Sequence, residues 1–409
     1  MRSGGVPARF IMTMPEFIAK HMKSKINVFD ALYTFVLLYA FSTITQSLYS
    51  ISLNRVWTVG IIACMLNGLL RPARKRAVLC LGIVSIIGAL TTISSKNVGR
   101  NSNDYIYFIT AVLWLLFMAD SKNCQLFYSA AKRNIKLTNI ILIISYIVIL
   151  IPLLTKSGFA YQWGSTPYFI GFAGTQHAMA SSVCLITAIF LLFSLEKKFS
   201  WWNLAILMFG AYIVLETGAR TFIIPIASLI FYYIKHNIKN LNIKALVYAV
   251  GIIGAIYMVQ HSSMLDKFDF VSSGGNMAVN AIDGFTSGRS LFWAVDLKAF
   301  ASGNLLQILF GRGFDYVYEL NAQMVNQKIW AHDDFIHLLL GGGFLAFGIY
   351  VYIILEFFKK RLMKQKKIDR LMLVTYLLFP AIINGFFMYQ HLLLSMMIFC
   401  LCCIRTEGE

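Results

Sequence analysis

Charge is scarce in this chain, and negative charge scarcer still. Only 13% of its 409 residues are Asp, Glu, Lys or Arg, with 18 acids against 36 Lys and Arg, while 58% are hydrophobic. A mean hydropathy of +0.68 excludes a water-soluble domain, which has no means of burying that much apolar side chain. Apolar/polar alternation is also missing. The apolar runs are continuous and roughly 15–23 residues long, which excludes a barrel and selects helices, whose backbone groups satisfy one another in hydrocarbon. No basic domain stands behind the net charge of +18. The lysines and arginines sit in short clusters between apolar runs, which argues against nucleic acid as a partner. A disulfide framework is absent too: Cys64, Cys80, Cys124, Cys184, Cys400, Cys402 and Cys403 fall in apolar runs or in segments assigned to the cytosol. The Cys-x-Cys-Cys end reads as membrane-buried thiol and not as a metal site.

What is present is a series of twelve apolar segments, roughly 28–50, 55–70, 77–94, 105–119, 138–155, 176–195, 201–217, 220–234, 244–260, 334–357, 371–388 and 390–404. With the N-terminus in the cytosol and strict alternation, the inside segments hold 26 of the 36 Lys and Arg, as the positive-inside rule requires. Both termini are therefore expected in the cytosol. Residues 1–27 form a basic segment with Phe10, Ile11, Met14, Phe17 and Ile18 interleaved with Lys20, Lys23 and Lys25. No signal-peptide cleavage pattern follows it, and a helix lying on the cytoplasmic leaflet is expected. The transmembrane bundle is expected over 28–404 as one domain. It includes a large outer loop, 261–333, whose 73 residues far exceed what joining two helices needs. Leu291, Phe292, Val295, Leu297 and Phe300 suggest an apolar helix face within that loop, an ordered cap on the membrane.

The few charges on the outer side each need a reason. Arg220 ends the tight turn Glu216-Thr-Gly-Ala-Arg220, either as a helix-end arginine paired with Glu216 or as an anion-binding arginine at membrane depth. Arg289, in Ser287-Gly-Arg289 and four residues before an interfacial Trp293, stands near a helix N-terminus that disfavours cations. An anion bound there would satisfy both the backbone amides and the guanidinium. Arg312, between Gly311 and Gly313, is a solvated turn residue or a further anion contact. Before the tenth segment, Asp333 or Asp334 suits the N-cap, and His332 beside the positive helix end suits a neutral imidazole and so a base. His337 with Asp333 and Asp334 has spacing compatible with a metal, although ordinary capping explains the acids, and no metal site is assigned. His177, at the outer end of the sixth segment, fits a helix–helix hydrogen bond or a ligand contact.

Three arginines, a histidine and two aspartates thus gather on one side, and no charged residue falls at mid-depth of a span. That disfavours a flippase or ion-coupled conduit, which needs ionisable groups near the midplane. Cations and a base without a nucleotide-binding loop suit transfer from a lipid pyrophosphate. Arginines stabilise the leaving oxygen, a base deprotonates a sugar hydroxyl, and no external cofactor is needed.

Four pieces, Thr217-Gly-Ala-Arg220, Ser287-Gly-Arg289 with Trp293, Phe310-Gly-Arg-Gly313 and Ala331-His332-Asp-Asp-Phe-Ile-His-Leu-Leu-Leu-Gly-Gly-Gly343, resemble the O-antigen polymerase and O-antigen ligase superfamily of bacterial surface-polysaccharide assembly. The resemblance covers roughly residues 170–360. It implies an all-α polytopic inner-membrane protein of about twelve helices, with the large periplasmic loop 261–333 as its catalytic part. Arg220 and Arg289 would hold the pyrophosphate of an undecaprenyl-linked glycan, Arg312 would be a third contact, and His332 would activate the acceptor hydroxyl. Asp333 and His177 join the substrate-binding set. Asp333 stands where the family usually has Asn, and Gly341 where it often has an acid. The implied partners are undecaprenyl pyrophosphate-linked glycans, membrane lipid and a chain-length regulator protein. A repeat-unit polymerase is the preferred reading, because the loop through Asp334 carries 5 Lys/Arg against 8 acids, a poor surface for a polyanionic acceptor. The alternative is the ligase that transfers glycan to lipid A–core; a lipid-linked oligosaccharide flippase ranks below both.

Overall fold

All twelve apolar segments fold as helices. The computed structural model describes residues 27–70, 75–163, 166–262, 289–325 and 328–405. The amphipathic segment expected over 1–25 lies outside the described residues, as does part of the large loop. In chain order the helices are α1 (Val28–Ile44), α2 (Leu53–Leu70), α3 (Lys75–Ser94), α4 (Val98–Met118), α5 (Ser121–Arg133) and α6 (Ile135–Leu154). A two-stranded antiparallel hairpin, β1 (Phe159–Trp163) and β2 (Thr166–Phe169), precedes α7 (Gln176–Ser194), α8 (Trp201–Glu216), α9 (Ile223–Asn237) and α10 (Leu241–Gln260). The large loop contributes α11 (Arg289–Ala301), α12 (Leu305–Phe310) and α13 (Tyr316–Val325), and the chain closes with α14 (Asp334–Lys360), α15 (Lys367–Ile383) and α16 (Gln390–Arg405).

The starts of these helices are written in short polar side chains. Asn27, Asn97, Asp120, Thr175, Asn240, Asn304 and Asp333 each accept a hydrogen bond from a first-turn backbone N–H. Asp120 does so at a sharp break, where α5 leaves α4 at 98°. Lys122, Lys132 and Arg133 lie on this turned-aside helix, a segment the sequence reading left as a cytosolic connection.

α7 and α16 pack together at the centre, α1 lies against α2, α5, α6 and α7, and α14 runs past α3 and α4. The core they share is largely apolar, from Leu32 and Trp114 to Leu192 and Phe399, with buried polar links such as Ser395 Oγ donating to the Cys184 carbonyl (2.8 Å). The flanks are apolar as well. Leu246, Val250, Ile252, Ile253 and Ile256 of α10 and Ile140, Ile143, Ile147 and Ile151 of α6 are exposed, an arrangement that water does not tolerate over whole helices. Among the described residues five helices, α3, α6, α7, α10 and α14 with its 3-10 extension to Lys364, are long and apolar enough to cross a membrane, and the bent α4–α5 pair makes up to six.

Contacts sort the helix ends into two groups. At one end Arg133 pairs with Asp30 (2.8 Å), Lys132 with Glu196 (3.2 Å) and Arg76 with Glu356 (3.7 Å), while Arg361 Nε donates to the Met118 carbonyl (2.7 Å). At the other, Ser47 N–H donates to the Phe172 carbonyl (2.8 Å), and the Lys96 and Asn97 N–H groups donate to Asp315 (2.9 and 2.7 Å). Each contact joins ends that strict alternation of twelve passes puts on one side. The second end is where the loop helices pack.

Glycine shapes this end. The run Gly341–Gly343 breaks the α14 ladder, with Gly343 at φ +66°, and the turn after α12 fits into the break. Arg312 and Gly313 donate their N–H groups to the carbonyls of Leu340 and Gly341 (2.9 and 3.0 Å), and a Cβ at Gly341 would run into Phe314. Gly341, where the resemblance would allow an acid, has no room for a larger side chain.

Candidate functional site

Five separate stretches of chain bring polar side chains together at the end that carries the loop helices. His332 sits between Trp330 and the cap of α14, in left-handed backbone (φ +54°), a conformation that costs a non-glycine residue about 1–3 kcal/mol. Its Nδ1 lies 2.9 Å from Asn384 Oδ1, and its ring is 4.8 Å from that of Trp330. With the amide oxygen facing the ring, Nδ1 carries the proton and Nε2 keeps the lone pair. Burial, reinforced by Arg289, holds the imidazole well below its usual range, so it is neutral at pH 7.

Arg289 is the first residue of α11, and its Nη1 donates to the Ile383 carbonyl at the end of α15 (2.7 Å). That bond uses one of five guanidinium donors. Burial pushes the group down to about 10; Tyr389 opposes this, and nearby Arg220 adds to it. Arg289 nevertheless remains protonated at neutral pH. Arg220 opens the 3-10 turn Arg220–Phe222 that joins α8 to α9. Gly218, at φ +63°, lets this turn pass against the Tyr168 ring. His177, the second residue of α7, lies tilted against the rings of Phe222 (6.0 Å) and Tyr389 (5.7 Å). Arg220, Arg289, His177 and His332 therefore form one neighbourhood, walled by Trp330, Phe222 and Tyr389. Two cations this close, with like charge acting on like, make a strong place for an anion.

The two acids of the α14 motif hold backbone N–H groups. Asp333 is the N-cap, accepting from Ile336 N–H (2.8 Å), and burial raises its carboxyl to about 6. Asp334 accepts from the N–H groups of Phe386 (2.9 Å) and Phe387 (3.1 Å) and from Tyr350 Oη (3.2 Å). It thereby pins the non-helical stretch 384–389 against the start of α14 and sets Asn384 opposite His332.

Arg312 is engaged elsewhere. Its Nη1 donates to Tyr316 Oη (2.6 Å), its Nη2 donates to the Ala299 carbonyl (3.0 Å), and it lies over the Tyr316 ring, tying the loop helices to one another. Trp293, expected as an interface anchor, instead donates its indole N–H to the Ala331 carbonyl (2.9 Å), beside His332. The packed face of α11 is Trp293, Asp296 and Phe300, whereas Leu297 of the expected apolar face is exposed. His337 does not join Asp333 and Asp334. Its Nε2 lies 3.2 Å from Asp104 of α4, and both side chains are wholly buried. Among the described residues no cluster of His, Cys, Asp and Glu suits a metal ion.

Several of these residues escaped the sequence reading. The apolar pattern puts Asn384 inside and Tyr389 beside the eleventh span, although Asn384-Gly385 after Pro380 is a helix-breaking signal. Asp296 lies at helical spacing from Arg289 and Trp293 but was counted only as loop charge. Asp104 was set just outside the fourth span. The structure starts that helix at Val98 and buries the carboxylate, where it accepts from Tyr318 Oη (2.8 Å). Polar chemistry thus reaches below the interface, into the outer third of α4 and α14. Among the described residues, the middle turns of the long helices carry no Asp, Glu, Lys, Arg or His.

No family model, curated protein or solved structure matches this chain.

Proposed function

We propose that this protein is a polysaccharide repeat-unit polymerase of the bacterial inner membrane. In this reading its twelve passes leave both termini in the cytosol, and the site faces the periplasm. The supporting observation is the convergence of Arg220, Arg289, His177 and a neutral His332 at one end of an apolar bundle. The acceptor hydroxyl of the next lipid-linked unit loses its proton to His332 Nε2 as its oxygen attacks the donor's anomeric carbon. The bond from that carbon to the pyrophosphate breaks, and undecaprenyl pyrophosphate leaves with the electron pair. Arg220 and Arg289 stabilise its charge. The donor carries the energy, so the chain supplies only position, a base and cations.

Sidedness supports the same reading: the end contacts agree with the alternation that puts most lysines and arginines inside. A conduit is supported less well, since the middle turns of the long helices lack ionisable groups. Cells lacking the protein test the proposal through their surface glycan. A single repeat unit on the core is expected, because the ligase still works. Long chains stranded on undecaprenyl pyrophosphate above bare core would make the protein the ligase, and an unchanged ladder would sink both readings.

A further inference from the structure

At the opposite end, the 98° departure of α5 from α4 opens a recess of about 430 Å³ between α3, α4 and α14. Its lining includes Leu69, Leu115, Leu116 and Ile353, the cations Lys75, Arg76 and Lys360, and the acid Asp120. A second cavity of about 360 Å³ shares Arg76, Glu356 and Lys360 with the first and adds Lys359, Arg361 and Lys364. Glu356 is the acid common to both, and Lys360 (3.0 Å) and Arg76 (3.7 Å) neutralise it. Across the two cavities the cations Lys75, Arg76, Lys359, Lys360, Arg361 and Lys364 face the acids Asp120 and Glu356, so the lining is cationic beside an apolar wall.

Arg361 gives the second, independent pointer. It is 6% exposed, its Nε is fixed on the Met118 carbonyl (2.7 Å), and its Nη2 has no hydrogen-bond partner in the protein. A buried guanidinium with an idle donor, lining a cationic cavity, is a place for an oxyanion. From these residues we infer that the recess is a binding site for an anionic phospholipid of the leaflet at this end. The phosphate lies among Arg361, Lys359 and Lys364, and the acyl chains lie against Leu69, Leu115 and Leu116. A free phosphate would leave the apolar recess empty. Basic pockets between spanning helices are suited to anionic head groups, each cation contributing about fivefold in affinity. This site is distinct from the candidate catalytic cluster and does not depend on the proposed activity.

The test uses the purified full-length protein in neutral detergent. Phosphatidylglycerol, phosphatidylcholine and inorganic phosphate are titrated separately, and bound lipid is counted by native mass spectrometry. Phosphatidylglycerol should bind at least tenfold more tightly than phosphatidylcholine. The K359Q/K364Q variant, altered only at exposed side chains, should bind it about 25-fold more weakly. Arg361→Gln should lose the preference, and where that variant fails to fold the double variant carries the test alone. Wild-type affinity in K359Q/K364Q, equal binding of both lipids, or phosphate competing as well as the lipid would each overturn the inference.

Discussion

His332 Nδ1 and Asn384 Oδ1 lie 2.9 Å apart, joined across 52 residues of chain. The bond sets which imidazole nitrogen is free, so Asn384 is a positioning residue for the candidate base. Asn384→Ala should lower polymerisation about ten- to a hundredfold, and His332→Ala by about 10²–10⁴-fold, with both proteins folded and inserted. Asn384→Asp sets a carboxylate on Nδ1, raises the imidazole's proton affinity and should move the acid limb of the rate profile upward. An Asn384→Asp enzyme with an unmoved limb would reduce this contact to packing.

Much of this was legible in the sequence, for physical reasons. Helices rich in apolar side chains announce themselves as continuous runs, and each expected apolar segment is largely helical, although five helices, or six with the bent pair, are long and apolar enough to cross a membrane among the described residues. Arg220, Arg289, His177 and His332 stood out because charge on an apolar chain is rare. What escaped depends on tertiary pairing. Asp334 looked like a spare cap, yet it holds Phe386 and Phe387, which no spacing rule predicts. His337 seemed to belong with acids three and four residues away and pairs instead with Asp104, more than 200 residues earlier. Arg312 carried the same motif signature as the other arginines, and only its partners, Tyr316 and Ala299, reveal a stapling role.

The acid side of the rate profile follows from the His332 environment. Burial and Arg289 depress this imidazole below its usual 6.5, so the neutral base persists as pH falls through 6.5. On the proposed activity, turnover by the purified protein should stay flat from pH 7.5 to 6.5 and decline only at lower pH. A limb centred at or above 6.5 would contradict a base buried beside a cation.

Arg220 and Arg289 are assigned to pyrophosphate through planar, bidentate contact. Arg→Lys at either position retains charge and loses the fork, and it should cost one or more orders of magnitude in rate. Wild-type rates in membranes bearing Arg289→Lys and Arg220→Lys would remove bidentate recognition from the mechanism.

Sidedness is checked with reporter tags. Tags inserted at residues 130, 238 and 365 should report the cytosol, and one at 275 the periplasm. Labelling of position 275 only from the inside would reverse the membrane and move the candidate site to the wrong face for lipid-linked glycan.

Asp296 offers a test by stability. It is wholly buried, and burial pushes its carboxyl up to about 7; Asn321 opposes the shift and Asp333 adds to it. A carboxyl raised in the folded state keeps a proton that the unfolded chain has released. Its stabilising effect is therefore complete below about pH 4 and is lost as pH rises through 7. Asp296→Asn retains the shape and removes that titration. Its thermal midpoint should exceed that of the wild type by about 2 °C or more at pH 8, with the gap narrowing to roughly a third at pH 5 and closing below about pH 4. Burial of His332 acts with the opposite sign but is common to both proteins, so the difference isolates Asp296. A gap of the same size at pH 5 and pH 8 would mean that the substitution acts through packing, and that the buried carboxyl is charged throughout.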